Sequence, residues 1–297
     1  MSPRNPEFLS PAARRALLFV LAVVALPVLS AQPKGFRPPP KYVATTKPDQ
    51  AEGARILGEF RQLGVAGDYW LEFQLRVMPR RGPGRSVAGQ WLGSRNALGP
   101  ITRLTLPGAA GLSGERRWLI QGGPQAAAWQ WQGSGGQTVA LDAAGLFEPL
   151  GETELTLFDL QMPFLNWTDF VYEGLTRLRG RPAHSFVLYP PADVATARPG
   201  LTGVRVLLDT QFQALVQAEF LGAKGAVEKT ISVLDLKKVG DQWMVKSIDL
   251  RNSVTRDKTR FEVTATAMNL ALPAGTFTPA DLGQEPPLVP AAKIERF

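Results

Sequence analysis

The chain has 297 residues, 44% of them hydrophobic, enough to build a real core and to exclude global disorder. Its 33 basic and 26 acidic residues give a formal charge of +7, spread thinly, which suits an anionic membrane or an acidic partner and does not call for nucleic acid. There is no cysteine and a single histidine, His184, which excludes disulfides, thiolate metal sites, a cysteine nucleophile, a lipidated N-terminal cysteine and any two-histidine metal site.

Residues 1–31 read as an export signal. Arg14-Arg15 precede an apolar run over residues 16–28, broken only by Pro27, and the small residues Ser30 and Ala31 offer a cleavage point. The run falls short of the about 20 residues that span a membrane, so cleavage is expected ahead of retention as an anchor. The paired arginines fit twin-arginine export and the general secretory route alike. Residues 32–47 form an extended, solvated linker, with Pro33, Pro38, Pro39 and Pro40 among basic side chains. The spacing then predicts an amphipathic helix with Thr46 as cap, Ala51, Ala54, Leu57, Phe60 and Leu63 on one face, and Gly64 as the stop.

From Asp68 the period changes to two. Tyr69, Leu71, Phe73, Leu75 and Val77 share one face of a long strand, with Glu72, Gln74 and Arg76 on the other. A basic hairpin loop over residues 79–84 follows, and shorter strands are expected near 86–92, 101–106, 116–121 and 127–132. Trp91, Trp118, Trp129 and Trp131 in these strands read first as core or girdle residues.

Residues 140–172 break the β rhythm. Leu155, Leu157, Phe158, Leu160, Met162, Phe164, Leu165 and Trp167 crowd a partly helical stretch that Pro163 must interrupt. Such a segment either plugs the sheet or covers a cavity as a movable lid, and the two readings are compatible. Strands resume near 174–178 and 183–189. Residues 201–270 then read as four to five consecutive antiparallel strands, because links this short allow no parallel crossover. In the last of them Phe261, Val263, Ala265 and Ala267 fall on one face. Residues 284–297, rich in proline and alanine, are expected to form a mobile tail.

The order of these parts, over residues 48–283, resembles the outer-membrane lipoprotein-sorting proteins of the LolA/LolB-like fold. The residues that carry the resemblance are Pro48-Asp49-Gln50-Ala51, Asp159-Leu160-x-x-Pro163-Phe164-Leu165-x-Trp167, Leu178-Arg179-Gly180-Arg181-Pro182-Ala183, Gly225-x-x-Glu228-Lys229 ahead of Trp243, and Phe277-Thr278-Pro279. The resemblance implies a mainly β (α+β) domain: a strongly curved, unclosed antiparallel half-barrel wrapped around helices that line a hydrophobic cavity. It also implies a lid-locking arginine, which the sequence does not place. The expected role is a monomeric periplasmic carrier for acylated lipoproteins or related lipids, working between inner- and outer-membrane sorting partners without a cofactor or metal. The candidate cavity and lid residues are Phe158, Met162, Phe164, Leu165, Trp167, Leu71, Phe73 and Leu75.

Chemistry has little support beside binding. His184 lies in an apparent strand with no nucleophile motif nearby, and adjacent Ser185 must face away from it. The glycine clusters near residues 82–84 and 133–136 lack the lysine and helix of a phosphate loop. An apolar site that hides acyl chains needs few polar groups. A periplasmic sensor or interaction module of the same fold is the alternative, with a filled, dry core as its signature. A hydrolase comes third and would need a polar cleft near His184.

Overall fold

The computed structural model describes residues 36–42, 47–108, 114–133 and 135–297. The export signal and the cap expected at Thr46 lie outside them. Helix α1 (Gln50–Gln62) is capped by Asp49, whose carboxylate accepts from the backbone N–H of Ala51 at 2.9 Å and Glu52 at 3.4 Å. Its packed side carries Gly53, Ile56, Leu57 and Phe60, whereas Ala51, Ala54 and Leu63 face solvent. The helical period was therefore legible and its phase only in part, since Leu57 and Phe60 pack inward as expected. Gly53 lets the helix lie directly on Tyr172, where an added Cβ would fall 2.4 Å from the tyrosine Cβ.

The strands are β1 (Asp68–Met78), β2 (Arg85–Asn96), β3 (Gly99–Leu106), β4 (Arg116–Gln121), β5 (Ala127–Gln132), β6 (Val139–Ala140), β7 (Phe170–Leu178), β8 (Arg181–Leu188), β9 (Gly203–Asp209), β10 (Leu215–Leu221), β11 (Val227–Val239), β12 (Gln242–Asn252), β13 (Lys258–Leu270) and β14 (Glu295–Arg296). They form one curved antiparallel sheet in the order β6-β5-β4-β3-β2-β1-β13-β12-β11-β10-β9-β8-β7, with β14 added to β13. The two outermost strands, β6 and β7, are not paired, so the half-barrel stays unclosed. Between them the chain crosses the inner face as α2 (Leu157–Gln161) and a 3-10 turn (Pro163–Asn166); α3 (Ala192–Ala197) links β8 to β9. The main core lies on this inner face, where Phe73, Leu75, Trp118, Phe186, Phe220 and Val263 meet Leu57 of α1 and Phe158 of α2.

Two expectations are corrected and a third is refined. Phe261 and Val263 belong to the inner core, but Ala265 and Ala267 pack with Trp70 and Leu92 on the outer face. The cause is a bulge: Phe73 opposes Val263 and Glu72 opposes Ala265, so Thr264 is an extra residue that reverses the alternation. The tail is folded. The buried Arg103 and Arg117 reach through the outer face to backbone carbonyls, Arg103 to Leu282 at 3.2 Å and Arg117 to Gly283 at 2.8 Å. Burial, with Arg117 alongside, pushes the Arg103 guanidinium down to about 10. Val289 and Ile294 then cover the outer apolar cluster, and β14 joins the sheet. The linker over residues 36–42 is extended and mostly exposed, as expected, but it is anchored, with Pro38 buried. Arg37 makes a bidentate pair with Asp169 at 2.8 Å and lies over the Tyr189 ring, and Tyr189 donates to the Pro38 carbonyl at 2.9 Å.

Candidate functional site

Segment 155–167 is built to be held in place. Thr156 and Asp159 cap α2 reciprocally, Thr156 accepting from the Asp159 N–H and Asp159 accepting from the Thr156 N–H. Met162 ends α2 in the left-handed region at φ 48°, and Pro163 starts the 3-10 turn. Phe158 stacks on Phe147 with centroids 4.4 Å apart and meets Phe164, Trp167 and Phe220 at 5.9, 6.2 and 6.0 Å. Phe158 and Phe164 are 0% exposed and Trp167 is 7% exposed.

Polar contacts tie this segment down from three sides. From α1, Arg61 donates to the carbonyls of Leu165 at 2.6 Å and Trp167 at 2.9 Å. Gln161 donates to the carbonyls of Gln121 and Ala127, each at 3.0 Å. From β11, the Lys229 ammonium donates to the Asp159 carboxylate and to the Glu154 carbonyl, with Lys229 8% and Asp159 2% exposed. The motif residues Asp159 and Lys229, 70 apart in sequence, thus meet as a buried ion pair.

Beside the segment, the inner face leaves an apolar cavity of about 230 Å³. Its floor and walls are Tyr69 and Leu71 of β1, Trp91 of β2, Ile231 of β11, Met244, Ile248 and Leu250 of β12, and Phe261 and Met268 of β13. Leu155, Leu160 and Met162 close it from the helical segment, with Asp159 at its margin. Three of the five methionines in the chain line it, and flexible thioethers adapt to apolar guests of varied shape. Of the candidate residues, Leu71 and Met162 line the cavity. Phe73, Leu75, Phe158, Phe164 and Trp167 are closed into the surrounding core, and Leu165 packs against that core half-buried. Apart from Phe261, the lining from β11 to β13 was not singled out in the sequence; the large apolar side chains of Met244 and Met268 near strand ends are the signal that points to it.

The Trp91 indole N–H is buried on the cavity wall without a well-aligned acceptor, facing the Tyr69 hydroxyl. Burial raises the pKa of that hydroxyl, and the Trp91 N–H beside it partly offsets the rise. Among the described residues no group of acidic, histidine or cysteine side chains could hold a metal ion.

A second, polar cleft lies where α1 faces β8 and β9, lined by Glu52, Arg55, Glu59, His184 and Thr210. His184 Nδ1 lies 2.8 Å from the Tyr172 hydroxyl, and burial lowers its pKa. Ser185 points to the opposite face and donates to the buried Glu173 at 2.6 Å, so the two do not form a nucleophile–base pair.

A family model described as "Uncharacterized protein" matches residues 120–284, more than half of the chain. No curated protein sequence matches significantly. Solved structures do. A candidate outer membrane lipoprotein-sorting protein domain from Vibrio parahaemolyticus superposes with a TM-score of 0.67 at 16% identity, covering 77% of this chain and 97% of its own. A DUF1329 family protein from Desulfovibrio piger gives 0.68 at 13% identity, covering 80% and 100%. A LolA superfamily protein from Nitrosomonas europaea gives 0.56 at 14% identity, covering 78% and 98%. At these identities the likeness is one of fold.

Proposed function

The chain belongs to the family whose model spans residues 120–284 and has the LolA-like fold, and from that premise we propose that it is a periplasmic carrier that shelters acyl chains of lipoproteins or related lipids for outer-membrane sorting. The observation that carries the reading is the apolar cavity between the inner face of β1, β12 and β13 and the helical segment. Its 230 Å³ equals about eight water volumes of roughly 30 Å³ each. One medium acyl chain segment fits. At about 0.8 kcal/mol per buried methylene, eight such groups contribute roughly 6 kcal/mol before the cost of association. The volume is below the roughly 300–1,000 Å³ of typical ligand pockets, so a second chain would require segment 155–167 to move. Arg61, Gln161 and Lys229 then act as the locks on that movement. The Trp91 N–H offers a donor to an ester or carboxyl oxygen at the cavity wall.

The interaction-module reading asks for a filled inner face. That description fits the half over β7 to β10, where Phe158, Phe164 and Phe220 interlock, and fails over β12 and β13. A periplasmic location rests on the export signal read in residues 1–31; no described helix is long and apolar enough to cross a membrane. Intact mass of the exported protein should begin near Ala31 or Gln32.

Native mass spectrometry of the exported protein, purified without harsh detergent, tests the carrier reading. An adduct with the mass of an acylated lipid, lost in Ile248→Trp with an unchanged melting temperature, is expected. A bare protein that also takes up no added acyl chain would leave the interaction module.

A further inference from the structure

The ladder between β12 and β13 runs only from Arg251 and Lys258 to Ser247 and Glu262, and beyond those residues the two strands part. β1 already occupies the other edge of β13, so β14 lies in the gap, with Arg296 opposite Ala265 and Glu295 opposite Thr266. The Phe297 N–H donates to the Thr264 carbonyl at 2.9 Å. The cavity wall lies on both sides of this gap, as Met244 and Ile248 on β12 and Phe261 and Met268 on β13. Elsewhere at the same end, Gln242 is fastened to the Ala66 backbone by two hydrogen bonds, at 2.8 and 3.2 Å. The gap thus adjoins the cavity, between two strands that line it, and is filled by only a short paired segment.

Two cations stand at its lip. Lys237 and Lys246 place their ammonium groups 5.1 and 5.8 Å from the Phe297 ring centroid, and Lys237 lies 3.6 Å from the Glu295 carboxylate. Among the described residues no other carboxylate pairs with either lysine. An aromatic face and a carboxylate therefore occupy a dicationic spot directly beside an apolar cavity.

We infer that the β12–β13 gap is the portal of the cavity, that residues 294–297 are its latch, and that Lys237 and Lys246 form the headgroup site for an anionic amphiphile. This rests on the carrier reading. When the latch peels from β13, the lysines exchange Glu295 and Phe297 for the carboxylate or phosphate of the ligand, while the chain passes between Met244 and Met268. Exposed ion pairs and a two-residue ladder are weak enough to be displaced by such a competitor.

The absence of cysteine makes the test clean. Ala265→Cys with Arg296→Cys, register partners in the structure, ties the latch to β13 when oxidised. Uptake of a dansylated medium-chain fatty acid and of its methyl ester is followed by stopped-flow fluorescence, with melting curves to show that the oxidised protein is folded. Oxidation should slow uptake by about tenfold or more, and reductant should restore it. Wild type should prefer the acid over the ester, and Lys237→Gln with Lys246→Gln should abolish that preference while leaving ester binding intact. Displacement by a free fatty acid or by a lysophospholipid supports the anionic site, and the stronger competitor identifies carboxylate or phosphate. Equal uptake by the oxidised and reduced forms would overturn the portal, and equal affinity of wild type for acid and ester would overturn the headgroup site. Failure of every form to take up either probe would instead refute the carrier reading and this inference with it.

Discussion

Replacing Lys229 by methionine tests whether the helical segment is locked from the sheet side. The substitution keeps the length of the apolar stem but removes the ammonium that donates to Asp159 and to the Glu154 carbonyl. Asp159 is 2% exposed, so its carboxylate would be left in the interior with only its cap contacts to Thr156. Breaking a buried pair by removing one partner costs about 3–5 kcal/mol, because the remaining charge is uncompensated. Asp159→Asn removes that charge, so the double variant should lose less than the two single losses added together, with a coupling of about 2 kcal/mol or more. Urea unfolding followed by tryptophan fluorescence, where Trp167 of the segment is a buried reporter, measures all three. Single losses below about 1 kcal/mol that simply add would show that the pair does not hold the segment.

Arg61→Met removes the clamp on the Leu165 and Trp167 carbonyls and should speed hydrogen exchange across residues 163–168, leaving β4 and β5 protected. Phe164→Asp buries an unpaired charge at a fully enclosed position and should cost several kcal/mol, yet at temperatures where the protein is folded it should retain acyl-chain binding, since Phe164 is not in the cavity wall. His184 has a pKa lowered from 6.5, mainly by burial. Its neutral form is favoured by folding, so its contribution is fully present above pH 6.5 and is lost as pH falls through the lower folded value. Thermal melts should therefore show wild type losing stability relative to His184→Gln below that pH, and parallel profiles would exclude the linkage.

Much of the sheet was legible because alternation and turn residues are local signals. The strands expected near 116–121 and 127–132 coincide with β4 and β5, and the meander over 201–270 is β9 to β13. The interruption at Pro163 was legible for the same reason. Long-range contacts were not. Nothing local to residues 281–285 reveals that Arg103 and Arg117, on β3 and β4, will bond their carbonyls, so composition alone suggested a loose tail. A single bulge at Thr264 turned Ala265 and Ala267 outward, which alternation read from sequence cannot detect. The candidate site was legible in part. Leu71 and Met162 line the cavity, whereas the mutual contacts of Phe158, Phe164 and Trp167 fill the space beside it. The rest of the lining, Met244, Met268 and their neighbours, comes from strands distant in sequence.

Those methionines provide the most direct measurement of acyl-chain binding in the cavity. In protein labelled with carbon-13 at the methionine methyls, Met162, Met244 and Met268 report from the cavity wall, while Met78 of β1 lies outside it. On titration with a medium-chain fatty acid, the three cavity methyl signals should shift saturably at one equivalent while Met78 stays in place. Shifts at Met78 with none at the other three, or no saturable shift at all, would contradict a carrier that holds its ligand between β12, β13 and the helical segment.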